Sequence, residues 1–364
     1  MDQKTHSAPL KKKNVYISYL NGTALISIAL IHLIDWSNIS LSLSGRLLKE
    51  FLYTGIFTFV LTTGSLIVIA YEHNTSLRQT FDRLLYRGSK LLFLYYLYSI
   101  IKLAIFNFST EPFYGQFINI GKFTIPDILA FRSFSVPLTV LITYAFFLAL
   151  SPLFLYIHKR SKYPKTSIAL IIITLFILDY ATNISSASAP IIKFLYANGY
   201  VLFPIALWLI PFLIGFFMAQ IGFEKRKKTI LITSGILTLI CGISSYFQHR
   251  SLFPSDYRFP LAPYFIAFGS FIISLQLYIF DYLEKKSDPW IKRSLAIIQL
   301  LGNNTLYLYL YHWIIIDCTI WIFSPRVGLI WLTTSIFFAL YILLNKNKLA
   351  NYYSNRNNAI NNTI

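Results

Sequence analysis

Cys241 and Cys318 are the chain's two cysteines, and each falls inside an apolar run. A disulfide framework is excluded, and so is a cysteine-based zinc site. Charge is scarce as well: Asp, Glu, Lys and Arg make up 13% of the residues, against about 25% in soluble domains. No internal repeat is visible, and no segment has the composition of a separate soluble domain. The basic N-terminus, MDQKTHSAPLKKK, runs into an apolar stretch without a small-residue cleavage site. It reads as a signal anchor, not a cleaved signal peptide.

Long apolar stretches fill the 364 residues, which are 56% hydrophobic and 18% aromatic. Ten are long enough to be read as membrane helices: 16–36, 50–71, 88–108, 135–157, 166–183, 199–222, 229–247, 261–281, 303–323 and 327–345. The expected fold class is all-α, a polytopic integral membrane protein with ten transmembrane helices. A net charge of +18 would suit a nucleic-acid partner, but the placement of the cations argues against one. Of the 32 lysines and arginines, 23 lie in alternate segments between the stretches, among them Lys11 to Lys13, Lys225 to Lys228 and Lys346. That alternation follows the positive-inside rule and faces an anionic leaflet, with both termini cytoplasmic. The expected organisation is a basic N-terminus (1–15), one transmembrane domain (16–345) and an Asn-rich tail without structure (346–364). The longest outer loop, 109–134, holds Glu111, Pro112, Pro126 and Asp127, and is expected to fold over an outward cavity.

Polar residues inside such stretches are costly and are functional candidates by default. The first stretch reads YISYLNGTALISIALIHLIDW, with His32 near its outer end and Asp35 three positions on, on the same helix face. The second contains FTFVLTTGSLI, where Thr62, Gly64 and Ser65 suit close helix packing; at Gly64 the alternative is room for a thin acyl or pantetheine arm. After it, FDRLLYRGSK sets Arg83, Arg87 and Lys90 on one face at the inner interface. They serve either as ordinary anchoring or as a seat for the phosphates of a cytoplasmic nucleotide-containing donor. The ninth stretch opens LGNNTLYLYLYHWIIIDCTIW, where Gly302 ends an amphipathic segment, Asn303 or Asn304 caps, and His312 lies near mid-membrane with Tyr309 before it and Asp317 after. His73, His158, His249, His6 and Asp179 rank lower.

Together these phrases resemble the acyltransferase-3 family of integral membrane acyltransferases, within the wider transmembrane acyl transferase superfamily. The family's Arg, ten residues, His pattern reads Asn21 to His32 here. Its FFVLSGFLI phrase is similar to FVLTTGSLI at 59–67, its basic stretch to FDRLLYRGSK, and its LGxxSxxIYLxH to LGNNTLYLYLYH at 301–312. The chain departs from the pattern at Asn21 and at TVLITYAFFLALSP (139–152), which lacks the family's glutamate. The resemblance implies an O-acyltransferase, an O-acetyltransferase above all, using acetyl-CoA or another acyl-CoA as co-substrate and no metal. The acceptor it implies is a hydroxyl of a glycan or glycolipid at the outer face of a bacterial inner membrane.

The residues permit that chemistry. An imidazole of ordinary basicity takes a hydroxyl proton near neutral pH, and a carboxylate such as Asp35 orients it. His32 and Asp35 are thus the expected catalytic residues. Arg83, Arg87, Lys90 and Gly64 are expected at the donor, and His312, Tyr309 and Asn21 at the acceptor. Membrane lipids are the expected surroundings, nucleic acid is not a partner, and a homo-oligomer stays open. The alternative function is a transporter or flippase for a lipid-linked sugar or small solute; against it stand the missing repeat and the missing pair of broken helices.

Overall fold

The structure, a computed structural model, describes residues 8–36, 42–71, 76–108, 117–119, 125–129, 133–135, 139–184, 204–257, 261–286, 288–323 and 327–352. A helix lies over most of each of the ten apolar stretches: α1 Ala8–Trp36, α2 Leu43–Tyr71, α3 Leu77–Phe108, α5 Thr139–Arg160, α6 Pro164–Ile184, α7 Ile205–Ile221, α8 Phe223–Phe247, α9 Pro263–Glu284, α11 Thr305–Phe323 and α12 Val327–Leu344. Among the described residues there are four further helical pieces. These are α4 (Ile125–Leu129), a 3₁₀ turn (Pro254–Tyr257), α10 (Pro289–Asn303) and α13 (Lys346–Tyr352).

Several helices begin well before their apolar stretch because a serine caps them upstream. Ser42 Oγ accepts from the Gly45 N–H at 3.4 Å, and Ser76 Oγ from the Gln79 N–H at 3.3 Å. Among the described residues five helices are long and apolar enough to cross a membrane: Val15–Ile34 of α1, all of α2, α5 and α9, and Arg226–Phe247 of α8. A sixth joins them when α12 and α13, bent by 66°, count as one span, and Pro164–Leu178 and Ile205–Ile221 are shorter apolar helices. These helices are compatible with a multi-pass membrane protein.

Two segments differ from expectation. In the loop 109–134 and the first residue of the stretch after it, Phe117–Asn119 pairs with Ser133–Ser135 in a short antiparallel ladder, Ile118 opposite Phe134. Residues 346–352, expected to be irregular, are helical, and the Asn303 Nδ2 donates to Tyr352 Oη at 2.9 Å. That tie holds a polar segment that hydropathy alone leaves unstructured. The rest of the tail, 353–364, lies outside the described residues.

The chain divides into two compact units. One comprises Met1–Thr62, Glu224–Ser255 and Ile266–Ile364. Here α1 packs on α10, α11 and α12. The α1–α10 crossing is set by two glycines. A Cβ on Gly22 would stand 2.1 Å from the Ile298 carbonyl oxygen, and one on Gly302 1.7 Å from that of Ser18. Only hydrogen fits at either point, so the two backbones touch, and the Ser18 hydroxyl reaches Asn303 Oδ1 at 2.6 Å. At the same end Tyr16 Oη donates to Asp281 Oδ1 at 3.1 Å, and Tyr19 bonds Glu284. The start of α1, the ends of α9, α10 and α13 therefore meet at one end of this unit.

The other unit comprises Thr63–Phe223 and Asp256–Phe265. Its helix α3 buries Thr80, Leu84, Gly88, Leu91, Tyr95, Ser99 and Lys102, a stripe at helical spacing, and packs that stripe on α5. The apolar α7 buries Trp208, Phe212 and Phe216 completely. It approaches the second half of α2 so closely that a Cβ on Gly64 would stand 1.9 Å from the Phe212 carbonyl oxygen.

Candidate functional site

His32 lies in the penultimate turn of α1, half-buried. Facing it, α11 presents Tyr309, His312, Trp313 and Ile316, all buried, at the 3-4-7 spacing of one helix face. The His32 ring stacks on that of His312, with centroids 6.1 Å apart and planes 21° apart. It meets the Trp313 indole edge-on at 4.5 Å. Tyr309 meets the His312 ring edge-on at 5.2 Å. Two imidazoles thus share one aromatic-walled place in the unit that α1 and α11 build.

His312 has no exposed surface, and among the described residues its ring is near only the backbone carbonyls of Leu308 and Tyr309, one turn back, neither in good hydrogen-bond geometry. A neutral imidazole carries one acceptor nitrogen and one N–H donor. The pair can therefore accept a hydroxyl proton at one ring while the other holds the oxygen that loses it.

No protein-family model matches the chain, and no curated protein or solved structure does. The functional reading rests on the residues themselves.

The structure brings three of the expected residues together: His32, His312 and Tyr309. Asp35 stands in the last turn of α1, and its side chain lies outside the described residues. Asn21 is eleven positions before His32, about 16 Å along the helix axis. It accepts from Thr62 Oγ1 at 2.5 Å, so it serves the contact of α1 with α2 and does not reach the histidine pair.

Gly64 requires a correction. The space beside its α-carbon is filled by the Phe212 backbone, and the neighbouring Ser65 hydroxyl donates to the Gly215 carbonyl at 2.8 Å. The residue permits close helix packing and leaves no gap for an acyl arm at that point. In the same unit Arg83, Arg87 and Lys90 are all exposed on α3, along one flank of its buried stripe. Gly88 between them meets the Ala145 carbonyl on that buried side.

Of the lower-ranked histidines, His158 ends α5 with its ring edge-on to Phe216 at 6.2 Å. His249 takes a left-handed φ of 51° just after α8. His6, His73 and the Asp179 side chain lie outside the described residues. Among the described residues, no three His, Cys, Asp or Glu side chains converge on a place that would hold a metal ion.

Three features escaped the sequence reading. Trp313, one of many aromatics in the apolar stretches, carries no mark in the sequence, although it touches both histidines. Asp281 gathers Lys227 Nζ at 2.7 Å, Lys285 Nζ at 3.1 Å and the Tyr16 hydroxyl; the Asp281–Lys285 spacing of four was its one legible sign. Glu50 is buried and accepts from the Ser255 N–H at 2.7 Å and the Ser255 hydroxyl at 2.5 Å. It caps the 3₁₀ turn from a helix remote in sequence.

Proposed function

We propose that this protein is a membrane-embedded O-acyltransferase. It moves an acyl group, acetyl foremost, from cytoplasmic acyl-CoA to a hydroxyl of a glycan or lipid-linked sugar at the extracytoplasmic face. The observation that carries the reading is the ring-to-ring pairing of His32 with His312. These are the two histidines singled out by phrases resembling the acyltransferase-3 pattern, and they come from opposite ends of the chain.

In this reading His32, oriented by Asp35, removes the proton from the acceptor hydroxyl, while His312 and Tyr309 hold the acceptor. The oxygen attacks the thioester carbonyl, the C–O bond forms and the C–S bond breaks. The departing thiolate recovers the proton from the imidazolium, leaving an ester and free CoA. Arg83, Arg87 and Lys90 grip the phosphates of the donor. The chain crosses the membrane ten times with both ends in the cytoplasm, as the alternation of basic segments supports.

Membranes carrying the protein, supplied with [¹⁴C]acetyl-CoA, are expected to pass label to a glycan or glycolipid fraction. Uptake of a solute with no label transferred would favour the transporter instead. The combined change Arg83→Ala and Arg87→Ala is expected to raise KM for the donor about tenfold or more, the loss of at least one charge-assisted hydrogen bond, with KM for the acceptor unmoved. An unchanged donor constant refutes the phosphate seat. Reporter fusions at both termini are expected to report cytoplasm; opposite sides for the two ends would refute an even number of crossings.

A further inference from the structure

The basic end of the α1–α10–α13 unit holds a cleft that acyl transfer does not use. Helix α10 is 15 residues long, too short to cross a bilayer, and strongly two-sided. It buries Leu295, Ala296, Leu300 and Leu301 while Trp290, Arg293 and Ser294 are exposed. Such a helix suits the plane of a membrane interface. Asp288 caps it, accepting from the N–H groups of Trp290 at 2.7 Å and Ile291 at 3.3 Å. The helix N-terminus is thereby already satisfied, and any anion must be held by side chains.

The 66° bend after α12 turns α13 away from the span, and the Asn303–Tyr352 hydrogen bond ties it to the end of α10. Between α10 and α13 lies a cavity of about 440 Å³, lined by Trp290, Arg293 and Ala296 on one side and Lys346, Leu349 and Ala350 on the other. Lys227 and Lys285 in the same unit are both paired with Asp281. Arg293 and Lys346, by contrast, make no ion pair or hydrogen bond among the described residues. The Trp290 indole, 77% exposed, stands at the rim, where an amphipathic ring sits at headgroup level. Just before the bend, Leu343 and Leu344 are 64% and 83% exposed.

We propose that this cleft binds the headgroup of an anionic phospholipid. Its phosphate bridges the Arg293 guanidinium and the Lys346 ammonium. Its glycerol covers Leu349 and Ala350, and its acyl chains run along Leu343 and Leu344. A free phosphate or a nucleotide would be drawn to the two cations but would leave that apolar lining uncovered, which is why a lipid fits better. The site stands independently of the acyl-transfer reading.

The test is native mass spectrometry of the purified full chain, released from micelles containing equal amounts of dioleoylphosphatidylglycerol and dioleoylphosphatidylcholine. Wild type is expected to retain phosphatidylglycerol in preference. Arg293→Gln with Lys346→Gln should lower that preference about tenfold, the worth of a charge-assisted hydrogen bond. Ala350→Trp keeps both cations but fills the cavity, and is expected to do the same. Lys286→Gln with Lys348→Gln removes the same charge outside the lining and is expected to change little. Equal retention in wild type and the Arg293/Lys346 variant overturns the proposal. So does an equal loss in the Lys286/Lys348 control, which would make the effect one of net charge. Displacement of the lipid by glycerol phosphate or CoA overturns it too, by assigning the cleft to a soluble phosphate ester.

Discussion

Replacing His32 by alanine is expected to lower the rate of acyl transfer by a factor of about 10²–10⁴, the usual contribution of a positioned general base. The change also removes a ring that packs on His312 and Trp313, so rate must be expressed per folded protein. His32→Gln separates the two effects. It restores a polar side chain to the gap between α1 and α11 but has no nitrogen that takes up a proton near neutral pH. It is expected to be folded and slow. His32→Gln at wild-type rate would remove the imidazole from the chemistry and leave it a packing role.

The second large effect is on folding. Gly302→Leu is expected to destabilise the α1–α10 crossing by about 3 kcal/mol or more, at the upper end of overpacking costs. The added Cβ alone would lie 1.7 Å from the Ser18 carbonyl oxygen and 2.9 Å from the Gly22 nitrogen, both backbone atoms. No rotamer relieves such a clash, so the two helices must part. Parting them strains the Ser18–Asn303 bond and loosens the opposite contact of Gly22 with Ile298. A lower unfolding temperature in detergent, with less folded protein recovered, is the expected readout. Gly328→Ala is the control, since nothing lies within 4 Å of its missing Cβ, and its unfolding temperature is expected to stay put. If Gly302→Leu melts with wild type, the backbone contact is not what joins α1 to α10.

The helices were legible because a run of about twenty apolar residues leaves few alternatives, and most of each of the ten stretches lies on one. Their ends were less so. Ser42 and Ser76 extend α2 and α3 into polar sequence through caps that hydropathy does not register. The α13 segment is mostly polar and takes its order from Tyr352 meeting Asn303, a tertiary contact with no local sign.

At the site, sequence marked His32 and His312 separately, each as a polar residue in an apolar run. Nothing in the spacing of either told that they meet, because helix pairing between distant segments leaves no periodic trace. Gly64 shows the converse problem. A small residue in a membrane helix signals closeness, but whether to a ligand or to another backbone depends on the partner helix, and here the partner is Phe212. Asn21 likewise shares a helix and a family phrase with His32, yet the rise per residue carries it about three turns away.

The central claim is that His32 and His312 act at one place. The measurement that tests it most directly is the acyl-transfer rate of the double variant His32→Ala with His312→Ala beside the two single variants, each per folded protein. Groups that work as a unit are strongly non-additive, so the double variant is expected to be no slower than the worse single one. Losses that multiply would show two independent residues, and contradict a shared site.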